Sequence, residues 1–249
     1  MAAPATGTAA VPSVPAVPFD APLVRGRLVR RYKRFFVDVV LDDGTTATAH
    51  TANTGTMAGL LVPGAPVLLT NNTGGKRSYP LELEAIRPGA SWVACNTIRA
   101  NRVARAFLAA GVVDELTPSL GALSSEVKVG DDSRIDFALG DVLVEVKSVT
   151  LREGDRGLFP DAVSSRGQKH LQLLTERARR SPDAIVAGLL FLVQRDDVVD
   201  VAAAAAVDPA YARLLTQAAR AGVVLRAARV IVDDREGELR FGGLLPVRA

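Results

Sequence analysis

The sequence predicts a small β-barrel followed by an α/β domain, on three observations. Between residues 21 and 88, five short apolar or alternating runs are separated by Gly, Pro and Asp turns. Between residues 89 and 249, amphipathic stretches at helical spacing alternate with short continuous apolar runs, the pattern of a sheet covered by helices. Within that second part, RIDFALGDVLVEVKSV (134–149) reads as a tight hairpin with charges on one face and apolar side chains on the other. The opening residues 1–20 read as a disordered tail. They alternate Ala, Val and Pro and lack the basic start and continuous apolar centre of a signal peptide.

The barrel strands fall at 24–32, 36–41, 45–50, 66–70 and 81–86, with a turn at Asp42-Asp43-Gly44. Five short strands with this punctuation suit an OB-like barrel. Arg25, Arg27, Arg30, Arg31, Lys33 and Arg34 crowd the first two strands together with Tyr32, Phe35 and Phe36. Such interleaving suits a surface where cations track phosphates and rings stack on bases, which makes Arg31, Tyr32, Lys33 and Arg34 candidate DNA contacts. A barrel strand with core aromatics and a solvated basic face would read the same way. The loops Asn53-Thr54-Gly55-Thr56 and Gly74-Gly75-Lys76-Arg77 are turn sequences whose backbone N–H groups can cradle an anion, and Lys76 and Arg77 join the candidate contacts. Neither has the glycine spacing of a P-loop or dinucleotide fingerprint.

A linker at 87–90 leads into a helix capped by Asn96-Thr97 and running to Gly111. Val103, Ala104 and Phe107 centre its apolar face, while Arg99, Arg102 and Arg105 form a stripe suited to one wall of a DNA groove or to a solvated face. In the hairpin, Gly140-Asp141 favours a type II′ turn pairing Leu139 with Val142, which by counting opposes Asp136 to Glu145. Like charges so placed repel. A divalent cation between them removes that cost, and two carboxylates with room for waters suit Mg²⁺ or Mn²⁺. Lys147 shares the face of Glu145, where an ammonium can orient an attacking water or neutralise developing charge.

Upstream, Glu126 lies on a short strand or helix end as a possible further catalytic acid or a surface charge. Downstream, Gln168, Lys169 and His170 open an amphipathic helix carrying Leu171, Leu174 and Ala178, where N–H groups and the helix dipole favour a phosphate. Beyond Ser181-Pro182, residues 184–193 read as a buried strand, Asp208-Pro209 starts a helix ending at Gly222, 223–232 is a second apolar strand and 238–247 an edge strand. Ala202 to Ala206 carries no pattern and reads as a connection.

The spacing Asp136-x8-Glu145-x-Lys147 resembles the active-site signature of the PD-(D/E)XK nuclease superfamily. By itself E-x-K on a strand also fits a solvated charged face. The segments HTANTGTM (50–57), GKRSYP (75–80), CNTIRANR (95–102), SEVKVGDDSRIDF (125–137), VEVKSVTL (144–151) and GLFPDAVSSRGQKHL (157–171) add specificity. In this order they resemble the sugar fermentation stimulation protein A family over the chain from about residue 20. That resemblance implies an OB-like domain at 21–88, a PD-(D/E)XK nuclease-like mixed sheet flanked by helices at 89–249, and DNA binding with little sequence preference. It also implies a link to sugar metabolism.

Composition sets outer limits. The 249 residues are 48% hydrophobic, enough for two moderate cores, and the net charge of +3 does not by itself select a polyanion partner. Cys95 is the one cysteine, so no intrachain disulfide forms. No apolar run reaches the roughly 18 residues of a membrane helix. The expectation is a cytoplasmic protein, of open oligomeric state, that binds single- or double-stranded DNA. The alternative is an active Mg²⁺- or Mn²⁺-dependent nuclease at Asp136, Glu145 and Lys147. No helix-turn-helix or zinc module points to an operator-reading factor.

Overall fold

The computed structural model of the protein describes residues 14–72, 79–117, 122–129 and 133–249. The first described element is a short strand, β1 (Ala16–Pro18), which pairs antiparallel with a strand near the other end of the chain. Val17 and Phe19 are buried in the core of the second domain, so residues 16–19 are not part of a tail as the composition of 1–20 implied. An alternating Pro-Val run is compatible with a sheet edge, and two apolar anchors fix it there.

The barrel comprises β2 (Leu23–Tyr32), β3 (Phe36–Leu41), β4 (Thr46–His50), β5 (Pro66–Asn71) and β6 (Leu81–Ile86). Their order is β4-β3-β2-β5-β6, and β4 meets β6 in parallel at His50 and Glu82, which closes the five-stranded barrel in the OB arrangement. Leu28, Val37, Val39, Met57, Leu69, Leu83 and Ile86 fill its interior. Gly26 is required where β2 crosses β3, because a Cβ there would lie 2.6 Å from the Val40 carbonyl oxygen. At the β2–β3 turn, Lys33 and Arg34 both take left-handed conformations, φ 46° and 65°.

After β7 (Val93–Ala94), helix α1 (Thr97–Ala109) starts at the Asn96 cap, whose side chain accepts from the N–H groups of Ile98 and Arg99. Three strands follow, β8 (Leu123–Val129), β9 (Ser133–Leu139) and β10 (Val142–Val149). Then come β11 (Leu151–Glu153), β12 (Arg156–Phe159) and α2 (Ser165–Arg180). The chain continues through β13 (Ala187–Val193), β14 (Asp200–Ala203), α3 (Pro209–Arg220), β15 (Val224–Asp233), β16 (Glu238–Leu245) and β17 (Val247–Arg248). The main sheet has the order β1-β16-β15-β13-β10-β9-β8, with β10, β13 and β15 parallel and the flanking strands antiparallel.

Helix α1 covers one face of this sheet through Val103, Ala104 and Phe107 against Val144, Val146 and Leu190. Helices α2 and α3 cover the other, with Leu171, Leu174, Tyr211 and Leu215 against Leu189, Phe191 and Val193. The mixed sheet flanked by helices is therefore as the sequence implied. The small second sheet, β11-β12-β14-β17, was not legible. Its strand β14 includes part of the Ala202–Ala206 run, which lacks strand character and is held by parallel pairing to β12.

Candidate metal and nucleic-acid site

The β9–β10 hairpin has the register anticipated from its turn, Leu139 opposite Val142, with Gly140 at φ 55°. The ladder ends at the pair Phe137 and Val144, one step before Asp136 and Glu145 would face each other. From there the strands part. Asp136 fills the gap, its Oδ2 accepting the Val146 N–H at 2.8 Å in place of a strand carbonyl, and its Oδ1 accepting from Asn101 Nδ2 at 3.2 Å.

Glu145 is 3% exposed. Its Oε1 accepts from Lys147 Nζ at 2.5 Å and pairs with His170 Nδ1, and the same His170 nitrogen lies 3.3 Å from Lys147 Nζ. Its Oε2 is buried with no hydrogen-bond partner. Burial raises the proton affinity of Asp136, and the charge of Glu145 raises it further against the pull of Val146 N–H, Lys147 and Asn101. Burial also acts upward on Glu145, but His170 and Lys147 together outweigh it and hold that carboxyl below its ordinary range. The two carboxyls are thus driven apart in proton affinity. Tyr211 of α3 sits beneath them, its buried hydroxyl unpartnered and its proton affinity raised by burial and then by Glu145.

An orphaned carboxylate oxygen costs about 1–3 kcal/mol or more when buried. A hard cation held by Glu145 Oε2 and Asp136 would satisfy it, and Mg²⁺ commonly takes only one or two carboxylates and keeps its waters. The residues therefore fit the metal. Among the described residues no group of three or more His, Cys, Asp or Glu side chains forms a complete protein cage.

The other sequence candidates fall in different places. Glu126 falls between the Ser125–Phe137 and Val127–Ile135 pairs of the β8–β9 register, takes a left-handed φ of 54° and is exposed, with no bond to Asp136 among the described residues. His170 is drawn into the site, buried against Glu145. Lys169 is exposed beside it. Gln168 turns away instead: its Nε2 donates at 3.0 and 3.1 Å to the two oxygens of Asp208, the residue that caps α3.

Arg31 is committed to the fold. Its guanidinium donates to the carbonyls of Arg34, Gly55 and Asn53 at 2.6–2.9 Å, pinning the strained turn to the loop after β4. Arg34 donates to the Thr54 carbonyl at 3.1 Å, Tyr32 packs on Phe36 under Arg30, and Lys33 is exposed at the turn tip. The arginine stripe of α1 is likewise partnered. Arg99 is buried in a two-bond pair with Glu84 of β6, each bond 2.7 Å. Arg102 pairs with Asp20, and Arg105 donates to Ser125 Oγ at 2.7 Å. Lys76 and Arg77 lie outside the described residues.

A basic cleft escaped the sequence reading. Lys128, Arg134, Arg166 and Lys169 line an open basin of about 870 Å³ that reaches the site at His170. All four are exposed, and among the described residues none has an ion pair. They are spread over β8, β9 and α2, so no local charge run announces them. Asn101 was detectable in principle, as a polar residue three before Ala104 and seven before Leu108 on the buried face of α1.

Residues 29–95 match the SfsA N-terminal OB domain and residues 98–236 match the sugar fermentation stimulation protein RE domain. The chain belongs to the sugar fermentation stimulation protein family. A sugar fermentation stimulation protein homolog of Citrifermentans bemidjiense is 45% identical over 230 residues, covering 91% of this chain and 97% of the relative. One from Syntrophotalea carbinolica is 47% identical over 221 residues, covering 87% and 93%. Among solved structures, Pyrococcus furiosus SfsA in complex with Ca²⁺ is similar across 95% of this chain and 100% of that one, at 28% identity and a TM-score of 0.79. No helix among the described residues of this family member is long and apolar enough to cross a membrane.

Proposed function

We propose that this member of the family binds DNA with little sequence preference and hydrolyses phosphodiester bonds at Asp136, Glu145 and Lys147 with Mg²⁺ or Mn²⁺. The observation that carries this reading is the buried, unpartnered Glu145 Oε2 beside Asp136, with a lysine on the same carboxylate. Asp136 and Glu145 would hold the cation, which when bound supplies a water made acidic enough to attack and a counter-charge for the phosphate. Lys147, released from Glu145, has its ammonium where it can orient that water or meet developing negative charge. His170 keeps Glu145 ionised and fixed in orientation. The basic cleft offers phosphate contacts on the approach to the site. The Pyrococcus furiosus relative's description as a Ca²⁺ complex supports a cation site in the family, since Ca²⁺ also takes carboxylate oxygens.

A second reading is favoured by one observation: Lys147 and His170 are both engaged on Glu145 Oε1 in the resting structure. In that case the protein binds DNA without turnover, and a regulatory role in sugar metabolism would rest on binding alone. Incubation with Mn²⁺ and single-stranded, duplex or flapped DNA, beside Asp136→Ala, separates the two. Cleavage lost in the variant supports hydrolysis; tight binding with no products in any of the three supports the second reading.

A further inference from the structure

A cavity of about 340 Å³ lies where the loop after β4 meets residues 158–164, with Ser148 on its wall directly after Lys147. Its lining draws on residues of the segments 50–57, 95–102, 144–151 and 157–171 that the proposed chemistry leaves unused. It shares no residue with the basic cleft. The two differ in chemistry. Among the described residues no cation lines the cavity, and its one charge, Asp161, accepts from the Thr56 hydroxyl at 3.1 Å and the Met57 N–H at 3.3 Å.

Three hydroxyls on the wall, Thr54, Ser148 and Thr150, make no side-chain hydrogen bond within the described chain. Thr150 is only 7% exposed, and the little of it that solvent reaches includes its hydroxyl, which opens to the cavity. Leu158, Phe159 and Pro160 line the same cavity. The Phe159 ring is held edge-on by Tyr211, with centroids 5.2 Å apart, and remains partly exposed. A partly exposed aromatic ring and free hydroxyls in one lining that holds no cation fit a flat neutral heterocycle better than a phosphate.

We infer that this cavity is a pocket for one unpaired nucleobase with its sugar, adjoining the phosphodiester held at the Asp136/Glu145/Lys147 site. The inference rests on the DNA-processing reading above and narrows its substrate. Phosphates lie along the cations that meet the site at His170, and the nucleoside beyond the scissile bond turns into the pocket, whose wall at Ser164 continues into the cleft at Ser165. A paired base would have to leave its stack to enter, so a single-stranded end or flap is the favoured substrate.

The test compares binding of a short single-stranded oligonucleotide with that of an all-abasic chain of equal length, by fluorescence anisotropy in EDTA so that hydrolysis plays no part. The parent is expected to favour the base-bearing chain by roughly tenfold, the scale of one stacked base. Ser148→Leu, which plugs the cavity, should abolish that preference while leaving abasic-chain affinity and its salt dependence unchanged. Thr150→Val, nearly isosteric, should reduce the preference, and it decides the matter if Ser148→Leu does not fold. A parent that binds both chains equally, or variants that keep the full preference, overturns the pocket and leaves phosphate binding standing. No binding to either chain overturns the pocket together with the reading on which it rests.

Discussion

Asp136 occupies a position that a folded chain without a ligand would not favour. It is largely buried and lies near the charge of Glu145, and its proton affinity is raised by both. Above the ordinary carboxyl pKa of about 3.9 the folded state holds this proton more tightly than the unfolded state does. Stability attributable to Asp136 is therefore greatest below that value and falls as pH rises through the folded pKa. Asp136→Asn removes the titration. In metal-free melts across the acid range the variant is expected to lose less stability than the parent as pH rises, and near neutrality to melt at the same temperature or higher. A variant that melts well below the parent at neutral pH would mean the carboxylate serves the apo fold. For Lys147, the geometry separates two duties: Lys147→Met should leave the metal-induced stabilisation in place while cleavage falls by roughly 10²–10³-fold, the usual loss for one transition-state donor. Equal cleavage by the variant and the parent would exclude Lys147 from the chemistry.

Helix α1 shows how an element's charges can be misassigned from sequence. Arg99, Arg102 and Arg105 form a stripe at helical spacing, but the acids that answer them are Glu84 on the barrel and Asp20 before it. A pattern confined to one helix carries no trace of partners 15 or 82 residues away. The Arg99–Glu84 pair is buried on both sides, 6% and 0% exposed, and ties α1 to β6. Arg99→Ala strands Glu84 and should cost about 3–5 kcal/mol in denaturant unfolding. Arg99→Met with Glu84→Met should recover much of that loss. A single-variant cost below about 1 kcal/mol would show the pair to be no more than a surface bridge. At this same scale, DNA affinity should depend on the cations of β8, β9 and α2. Replacing Lys128, Arg134, Arg166 or Lys169 by Ala should each flatten the slope of log K against log salt by about 0.9 on duplex or about 0.7 on single strands. An unchanged slope in the quadruple variant would move the interface elsewhere, with the exposed Lys33 at the barrel turn the next place to look.

Across the whole molecule, the barrel and the second domain share one core. Leu68, Ala85 and Ala94 from the barrel side pack in the same cluster as α1 and the main sheet, and Val17 and Phe19 join them. Barrel strands, covering helices and the hairpin register were legible because each is written in local periodicity, period 2 in β9 and β10 and 3.6 in α1, α2 and α3. The candidates Asp136, Glu145 and Lys147 followed from that periodicity together with the Gly140-Asp141 turn and their spacing. Tyr211, the basic cleft and the committed roles of Arg31, Arg99 and Gln168 were not legible, since each depends on which elements tertiary packing brings together. The proposed function requires first a cation at Asp136 and Glu145. Its direct test is an Mn²⁺ titration during thermal melts of the parent and Asp136→Asn. The parent should gain stability as RT ln(1 + [Mn²⁺]/Kd), about 2.7 kcal/mol at a hundredfold excess over Kd, while the variant gains far less at the same concentrations. Equal metal-induced shifts in the two proteins would remove Asp136 from the site and leave the hairpin an ordinary charged surface.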